Sequence, residues 1–448
     1  MEFFNLRGVS VVGTGFVGLV TATCFVDKGY VAYAYDSNHE KAEMVRSGRP
    51  PFYEPNLESL LKKGLERSLF KCVNSLEEAV LKTDVTFICV GTPSKADGSI
   101  DLTYIETSAE EIGKALAKKS DYHVVVVKST VVPGTTQNRV KPQLEKSSHK
   151  VTGKDFGLCM SPEFLKEGSA VNDTFNPDRV VIGEYDKKSG DFLEKVFLNF
   201  YGENSPPILR MNLASGEMVK YASNAFLATK ISFINEIANI CERVKGLDVA
   251  EIAKGMGLDQ RIGPRFLQAG LGFGGSCFPK DVKALISFSQ GLGYEPQIVK
   301  SVFDVNERQA IRAVELAKQL VGSLKDKRVA LLGLAFKPDT SDIREAPSLK
   351  IIRNLLAEGA VVAAYDPAAM SEAEAILDYP VEYAVSSLDC IERADCCIVV
   401  TEWEEFKKLN PEDFLAHMQK PVVIDGRKIY DPEKFRGKLV YAAVGLGE

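Results

Sequence analysis

The 448-residue sequence lacks several features that would place it in other classes of protein. None of its nine cysteines forms a CxxC pair, so neither a zinc ribbon nor a dithiol redox motif is indicated. A net charge of -6 argues against a nucleic-acid surface as the main binding site. The apolar run 9–26 contains three glycines and is followed by Asp27 and Lys28, which argues against a membrane helix.

Other absences concern the amino terminus and the composition. Residues 1–5 carry neither the basic segment nor the cleavage site of a secretory signal, so we expect a reducing, cytoplasmic environment. Most cysteines are then expected to be small apolar core residues. With 45% hydrophobic and 26% charged residues the chain is ordinary for a globular protein, and its length predicts about two or three domains.

Residues 8–36 predict a strand, a glycine-rich turn, a helix and a second strand. Gly13, Gly15 and Gly18 have GxGxxG spacing, and Asp36 ends the second strand. In this context the glycines let the backbone approach a pyrophosphate at the helix N-terminus, and Asp36 binds ribose hydroxyls and repels a 2′-phosphate. The motif therefore favours NAD, the alternative being a tight packing turn with a surface aspartate.

The rest of the chain predicts a second, similar lobe. Long helical patterns cover 214–244 and 296–324, and 328–333 and 361–366 then resemble the first strands. We predict an α/β fold of two Rossmann-like, doubly wound domains joined by a helical central region with a long connecting helix. The predicted domains are 1–205, 206–310 and 311–448. Because the second lobe lacks the glycine triplet, we expect it to bind something other than the dinucleotide.

A second motif is the segment 272–281, with the sequence GFGGSCFPKD. Cys277 follows a run of glycines that leaves room for a substrate, and Lys280 and Asp281 provide charges that could lower its pKa or relay a proton. By itself the pattern leaves two possibilities open, a nucleophile and a buried structural cysteine.

Together with residues 13–18 and the segment SPEFLKEG at 161–168, this loop resembles the UDP-glucose/GDP-mannose dehydrogenase family over essentially the whole chain. Residues 51–55 and Phe278 resemble its UDP-glucose branch, relatives acting on GDP-mannose or UDP-N-acetylmannosamine being the alternative. The resemblance implies that two NAD molecules accept two hydrides, and that Cys277 forms a thiohemiacetal and then a thioester that water cleaves. We also expect a homodimer through the long helix, and no metal, nucleic acid or membrane.

The resemblance assigns oxygen chemistry to Lys220 and Asn224. Lys220 would stabilise negative charge on oxygen, and Asn224 would orient that oxygen or a water. Their spacing predicts one helix face. A solvated surface lysine is the ordinary alternative for Lys220.

Proton transfer is assigned to three further residues. Asp281 would be the general base, Thr130 would help its water, and Glu163 would assist thioester hydrolysis. Glu163 and Glu167 are four residues apart, and we interpret them as like charges on a helix, which suggests a functional use.

The binding residues are implied in the same way. Contacts to the cofactor are implied for Gly13, Gly15, Gly18, Phe16, Val17, Asp36, Lys41, Thr92, Thr130, Glu167, Lys280 and Arg344. Contacts to the substrate are implied for Glu163, Phe164, Leu165, Lys166, Lys220, Asn224, Arg261, Phe266, Leu267, Gln268, Ala269, Gly270, Gly274, Lys337 and Arg427. Within this set 266–270 would form a loop over the sugar and phosphates, and Arg261 would cross to the partner's site in a dimer.

Two other classes of function are weighed against this one. A non-catalytic sensor of NAD or a nucleotide sugar would not need Cys277 beside Lys220 and Asp281. A one-step hydroxyacid dehydrogenase would need neither Cys277 nor a second lobe. The four histidines lie outside the motifs, so neither a histidine base nor a zinc site is supported.

Overall fold

The computed structural model describes residues 6–447, which group into two compact units that divide between Ser223 and Asn224. The expectation about residues 1–5 therefore lies outside the described residues. Within 6–447 no helix combines the length and the apolar character needed to cross a bilayer.

The first unit is built on one sheet. Its strands are β1 (Val9–Val12), β2 (Ala32–Tyr35), β3 (Phe70–Cys72), β4 (Val85–Ile88), β5 (Val124–Val127), β6 (Gly157–Met160), β7 (Val180–Glu184) and β8 (Ile208–Asn212). They lie in the order β3-β2-β1-β4-β5-β6-β7-β8, and only the β6–β7 pair of the described sheet is antiparallel. The winding direction reverses between β1 and β4, where the carboxyl ends of parallel strands form a ligand-binding crevice.

Helices cover both faces of this sheet. They are α1 (Phe16–Asp27), α2 (His39–Arg46), α3 (Leu57–Glu66), α4 (Leu76–Lys82), α5 (Thr103–Ala117), α6 (Lys141–Ser148), α7 (Ala170–Phe175) and α8 (Lys187–Tyr201), with a π-helical turn at Thr136–Val140 and a 3-10 turn at Gly202–Asn204. Alternate residues of β5 enter two different core clusters, Val124 with Val126 and Val125 with Val127. This explains why the strand is a continuous valine run, since both of its faces are buried.

The helix α9 (Leu213–Cys241) runs through the boundary between the units. The second unit continues with α10 (Val249–Gly257), α11 (Phe278–Gly291), α12 (Gln297–Val321), α13 (Pro347–Ala357), α14 (Met370–Ile376), α15 (Ser387–Ile391), α16 (Pro411–His417) and α17 (Pro432–Arg436), and a 3-10 turn at Phe406–Lys408.

The second unit also holds its own sheet. Its strands are β9 (Arg328–Leu332), β10 (Val361–Tyr365), β11 (Val381–Tyr383), β12 (Cys396–Val399), β13 (Val422–Asp425) and β14 (Val440–Ala443). They lie in the order β11-β10-β9-β12-β13-β14, and every pairing recorded for the sheet is parallel. Here too the winding reverses, between β9 and β12.

The predicted fold class is confirmed: each unit holds a Rossmann-like sheet, and a helical region with a long helix lies between the two sheets along the chain. The helices predicted at 214–244 and 296–324 are observed at Leu213–Cys241 and Gln297–Val321. The expected core role of most cysteines is also confirmed, because seven are buried, Cys72 is half-buried and Cys277 is exposed. The division at residues 205 and 310 stays a prediction.

Candidate active site

The glycine turn between β1 and α1 has the geometry that a pyrophosphate needs. Gly13 has φ +94°, and a Cβ there would lie 2.9 Å from the carbonyl oxygen of Cys89. A Cβ on Gly18 would lie 1.9 Å from the Gly13 oxygen, whereas one on Gly15 would meet no described atom within 4 Å. Gly13 and Gly18 are thus required by packing, and Gly15 leaves open space at the N-terminus of α1. These residues fit the pyrophosphate of NAD.

Asp36 is tied to that turn. Its Oδ2 accepts hydrogen bonds from the backbone N–H and the hydroxyl of Thr14, at 2.7 and 2.9 Å, and its Oδ1 accepts one from the N–H of Asn38 at 2.9 Å. The carboxylate is partly exposed. It is therefore held at the mouth of the crevice with part of its surface still accessible.

The matching aspartate of the second lobe has a different environment. Asp366 follows β10 as Asp36 follows β2, but it is only 1% exposed. Its Oδ2 accepts from the N–H groups of Leu334 and Ala335 and from the indole of Trp403, at 2.7 to 3.0 Å. A carboxylate enclosed in this way has no accessible surface for a ribose, which agrees with the expectation that this lobe does not hold the dinucleotide.

The remaining predicted cofactor residues of the first unit lie around the same sheet edge. The hydroxyl of Thr92, after β4, donates to the carbonyl of Thr130, after β5, at 2.9 Å. Phe16 and Val17 begin α1, and the Phe16 ring packs 5.4 Å from that of Phe52. Lys41 is exposed in the first turn of α2. The carboxyl ends of β4 and β5 are thus joined beside the glycine turn.

Glu163 and Lys220 form a buried ion pair in the first unit. Their side chains are 3.1 Å apart and only 8% and 5% exposed. The ammonium of Lys220 also lies 5.5 Å from the centre of the Phe164 ring, whose face is covered by the guanidinium of Arg179 at 3.8 Å. Lys220 is therefore not the solvated surface lysine of the alternative interpretation.

The segment that carries Glu163 corrects one prediction. The helical interpretation of Glu163 and Glu167 is wrong, because 161–166 have no regular secondary structure and 167–169 form a turn before α7. The turn is fixed instead by Glu54, whose carboxylate accepts from the N–H groups of Gly168 and Ala170 at 2.8 and 2.7 Å. Leu165 is half-buried here and Lys166 is exposed.

Lys128, which sequence reasoning did not assign, lies at the end of β5. Burial lowers the pKa of its ammonium, while nearby Cys89 and Glu163 oppose that shift and Lys220 adds to it. Two lysines, Lys128 and Lys220, therefore lie within electrostatic range of one buried glutamate at this edge of the sheet.

In the second unit Cys277 occupies the position that precedes α11. Its thiol is exposed, and its carbonyl accepts from the N–H of Asp281 at 2.9 Å in the first turn of the helix. By contrast, burial raises the pKa of Cys390 and Cys396 to about 12, so those thiols stay protonated. Cys277 is thus the one exposed cysteine among the nine.

Asp281 lies on the buried side of the same helix. It is 2% exposed, and its two oxygens accept from the amide of Asn224 and the ammonium of Lys280, each at 2.6 Å. The structure therefore brings together three of the predicted residues. Among residues 6–447 no group of three or more His, Cys, Asp or Glu side chains is placed to hold a metal ion.

The predicted substrate loop 266–270 is tightly anchored. Phe266 has φ +66°, a strained value for a residue with a side chain, and the N–H of Gly270 donates to Asn235 at 2.8 Å. Gln268 is exposed and Ala269 half-buried, whereas the side chain of Leu267 lies in the core, so that any ligand contact from Leu267 would come from its backbone.

Arg427 borders this loop. Its Nε donates to the carbonyl of Val400 at 2.6 Å, and a Cβ at Gly270 would lie 2.8 Å from its Nη1. Its Nη2 is buried without a hydrogen-bond partner among the described residues. A buried guanidinium nitrogen with unused donors suits a ligand with phosphate or hydroxyl oxygens.

The other predicted basic residues of this unit lie near the surface. Arg261 and Arg344 each pair with an aspartate two residues earlier, at 2.6 and 2.7 Å. The ammonium of Lys337 lies 5.6 Å from the centre of the Phe336 ring. Gly274 packs against the same segment, since a Cβ there would lie 2.6 Å from the carbonyl oxygen of Glu345.

Sequence models of the UDP-glucose/GDP-mannose dehydrogenase family match residues 7–201 with its NAD binding domain, 214–308 with its central domain and 330–432 with its UDP binding domain. The chain belongs to this family. The family match identifies NAD as the cofactor, in agreement with the glycine turn.

Individual relatives of this family member cover almost its whole length. It is 42% identical to UDP-glucose 6-dehydrogenase TuaD of Bacillus subtilis over 98% of this chain and 93% of the relative. It is 42% identical to UDP-glucose 6-dehydrogenase AglM of Haloferax volcanii over 94% and 96%. A solved UDP-glucose dehydrogenase from Pyrobaculum islandicum has TM-score 0.92 and 41% identity, covering 100% of this chain and 99% of that one.

Proposed function

We propose that this protein oxidises UDP-glucose to UDP-glucuronate, with two NAD molecules consumed per substrate and a thioester on Cys277. The observation that carries the proposal is the exposed Cys277 thiol in a chain that matches proteins named UDP-glucose 6-dehydrogenase almost from end to end. The buried charges at Glu163, Lys220 and Asp281 support catalysis over mere binding, because a sensor would gain nothing from burying them.

The first oxidation needs a base and a stabiliser of negative charge. Asp281, buried and held by Asn224 and Lys280, takes the proton of the C6 hydroxyl directly or through water, with Thr130 assisting that water. Lys220 stabilises the oxygen as its charge develops. NAD, when bound, supplies the hydride acceptor for this step and for the second oxidation.

The second oxidation needs the thiol. The Cys277 thiolate adds to the aldehyde carbon, so that a C–S bond forms and the carbonyl oxygen becomes an alkoxide that is protonated to the thiohemiacetal. Loss of a proton and a hydride then gives the thioester. Water, assisted by Glu163, attacks the acyl carbon, the C–S bond breaks, and the carboxylate and the thiol are released. Cleavage of the thioester makes the overall reaction effectively irreversible.

We assign binding of NAD to the glycine turn of the first unit and binding of the UDP-sugar to the loop 266–270 of the second unit. The turn at Gly13 and Gly15 holds the pyrophosphate of NAD, and Asp36 holds a ribose, with Thr92 and Glu167 as further contacts. The loop 266–270, Lys337 and Arg427 hold the UDP-sugar, and the buried Nη2 of Arg427 supports this assignment.

The decisive measurement is the NADH yield per UDP-glucose at completion, with GDP-mannose and UDP-N-acetylmannosamine as parallel substrates. We expect two NADH per UDP-glucose for the wild type and stalled turnover for Cys277→Ser, whose weaker nucleophile cannot form the thioester. One NADH, or two with the variant fully active, would refute the thioester. A preference for another sugar would refute the substrate and leave the chemistry intact.

We further propose that the protein acts as a homodimer that pairs through α9. Phe226, Phe233 and Ile240 recur every seven residues and therefore lie on one helix face. In the single chain they are 66%, 46% and 52% exposed. Three large apolar side chains in line are unfavourable in water and typical of a helix that packs against a partner.

A further inference from the structure

The loop that leads to Cys277 is held by a side chain that the reaction scheme does not use. Asn306, on α12, accepts a hydrogen bond from the N–H of Phe273 at 2.7 Å and donates one to the carbonyl of the same residue at 3.1 Å. Asn306 is 3% exposed. Its amide thus makes both of the bonds that a neighbouring strand would make, in a place where no strand is present.

Gly272, the residue before Phe273, has a backbone conformation that allows this contact. Gly272 has φ +97°, and a Cβ there would lie 2.8 Å from the Oδ1 of Asn306. Any other residue at 272 would suffer both an unfavourable backbone conformation and a clash with the amide. The glycine therefore serves to admit Asn306 rather than only to turn the chain.

Packed aromatic rings and backbone hydrogen bonds connect the Asn306–Phe273 contact with Cys277. The ring of Phe273 packs edge-on against that of Phe278, with centroids 6.0 Å apart at 88°, and Phe278 directly follows Cys277. Between them, the N–H of Gly275 donates to the carbonyl of Arg344 at 2.8 Å. On the other side Cys277 is fixed by the first turn of α11.

Phe278 also links this loop to the loop of the UDP-sugar. Its ring lies 6.2 Å from that of Phe266, at 60°. The aromatic contacts thus run from the residue that Asn306 holds, through the neighbour of Cys277, to the first residue of the substrate loop. Displacing Phe273 would disturb the position of the thiol relative to the sugar.

We propose that Asn306 is a positioning residue that holds the Cys277 thiol in line for addition to the C6 aldehyde. The proposal rests on the thioester mechanism above. A misplacement of about 1 Å at the reacting atoms costs roughly 100-fold in rate. Because Asn306 touches neither substrate nor cofactor in this scheme, its loss should lower kcat and leave the KM for UDP-glucose within a few fold.

The test compares Asn306→Leu with Gln309→Met. Both replace a buried amide of α12 by an apolar side chain of similar size, and Gln309 is 1% exposed and bonded to Asn239 at 3.0 Å, away from the loop. We expect Asn306→Leu to lose about 10- to 100-fold in kcat, with Gln309→Met close to wild type at a similar loss in Tm. Alkylation of Cys277 by iodoacetamide, followed by mass spectrometry, checks that the thiol is still accessible and reactive. Its rate should stay near that of the wild type in both variants.

Asn306→Asp adds a readout that a merely structural role would not give. Its carboxylate can still accept from the Phe273 N–H, but only the protonated form can donate to the Phe273 carbonyl. We therefore expect the kcat of this variant, relative to wild type, to rise as the pH falls.

Equal losses of kcat in Asn306→Leu and Gln309→Met would overturn the proposal. So would a ratio of the Asn306→Asp kcat to the wild-type kcat that does not change with pH. Failure of the thioester mechanism itself would be seen in a separate experiment, as a Cys277→Ser variant that still yields two NADH per UDP-glucose.

Discussion

At the scale of single residues, the pair Glu163–Lys220 is the strongest electrostatic feature of the first unit. Removing one partner of a buried ion pair leaves the other charge uncompensated, at a cost of about 3–5 kcal/mol. Lys220→Met and Glu163→Gln should each lower the free energy of unfolding by about that amount. The double variant should recover part of the loss, because neither member of the pair then remains charged without the other, while its activity stays abolished.

Urea unfolding of the four proteins measures this coupling as a double-mutant cycle. The control is the pair Lys187–Asp191, whose side chains are 83% and 38% exposed. Lys187→Met should change the free energy of unfolding by less than about 1 kcal/mol. If the losses of the two buried single variants simply add in the double variant, the pair is not coupled and the prediction fails.

Some residues of the site can be predicted from the sequence and others cannot. Cys277, Lys220 and Asp281 stand in motifs long enough to be matched, and in the structure the first is exposed whereas the other two are buried and paired. Asn306 has no such signal. A single polar residue in an amphipathic helix has the pattern of a solvated side chain, and only the fold shows which backbone groups it reaches.

At the scale of elements, Glu217 on α9 serves as a cap for another helical segment. It is fully buried, and its two oxygens accept from the N–H groups of Gly134 and Thr136, at 2.5 and 2.7 Å, where the π-helical turn Thr136–Val140 begins. Three residues further along α9 is Lys220. The cap therefore fixes α9 to the segment that follows Thr130.

Glu217 makes stability depend on pH. Burial raises the pKa of its carboxyl from 4.5 to about 7, although the N–H groups oppose the shift. Because the folded pKa lies above the unfolded one, the contribution to stability is complete below about pH 4.5 and is lost as the pH rises through 7. Between pH 4.5 and 8 the wild type should lose about 3 kcal/mol relative to Glu217→Gln, at 1.4 kcal/mol per pH unit.

Urea unfolding of the wild type and of Glu217→Gln at several pH values tests this predicted loss of stability. Lys119, whose burial lowers its pKa to about 8, acts in the opposite direction, because its contribution is lost as the pH falls. It is present in both proteins, so the difference between them isolates Glu217. Parallel profiles would show that Glu217 does not titrate in this range.

Elements themselves are predicted well where one physical signal dominates. The helical apolar pattern over 214–244, which no Pro or Gly interrupts after Gly216, is observed as the helix Leu213–Cys241. The segment around Glu163 is predicted poorly because spacing alone cannot separate a helix face from a loop. Its path is fixed by the carboxylate of Glu54, more than 100 residues earlier in the chain.

At the scale of the whole molecule, one architecture is used twice with different binding properties. Both lobes place an aspartate after their second strand, but Asp36 is partly exposed and Asp366 is enclosed by the chain's own N–H groups and an indole. The repeat is visible in the sequence. The difference is not, because it depends on Trp403, which reaches Asp366 from another strand end.

The assembly of the molecule is the last prediction. If two copies pair through α9, a charge in the apolar row will be buried against the partner and will weaken the dimer by several kcal/mol. Phe233→Glu should therefore convert a dimer into a monomer in light scattering at micromolar concentration. Val385→Glu, at an 87% exposed apolar residue of the second lobe, is the control and should not change the mass. A wild-type monomer, or a Phe233→Glu dimer as stable as wild type, would exclude pairing through this face.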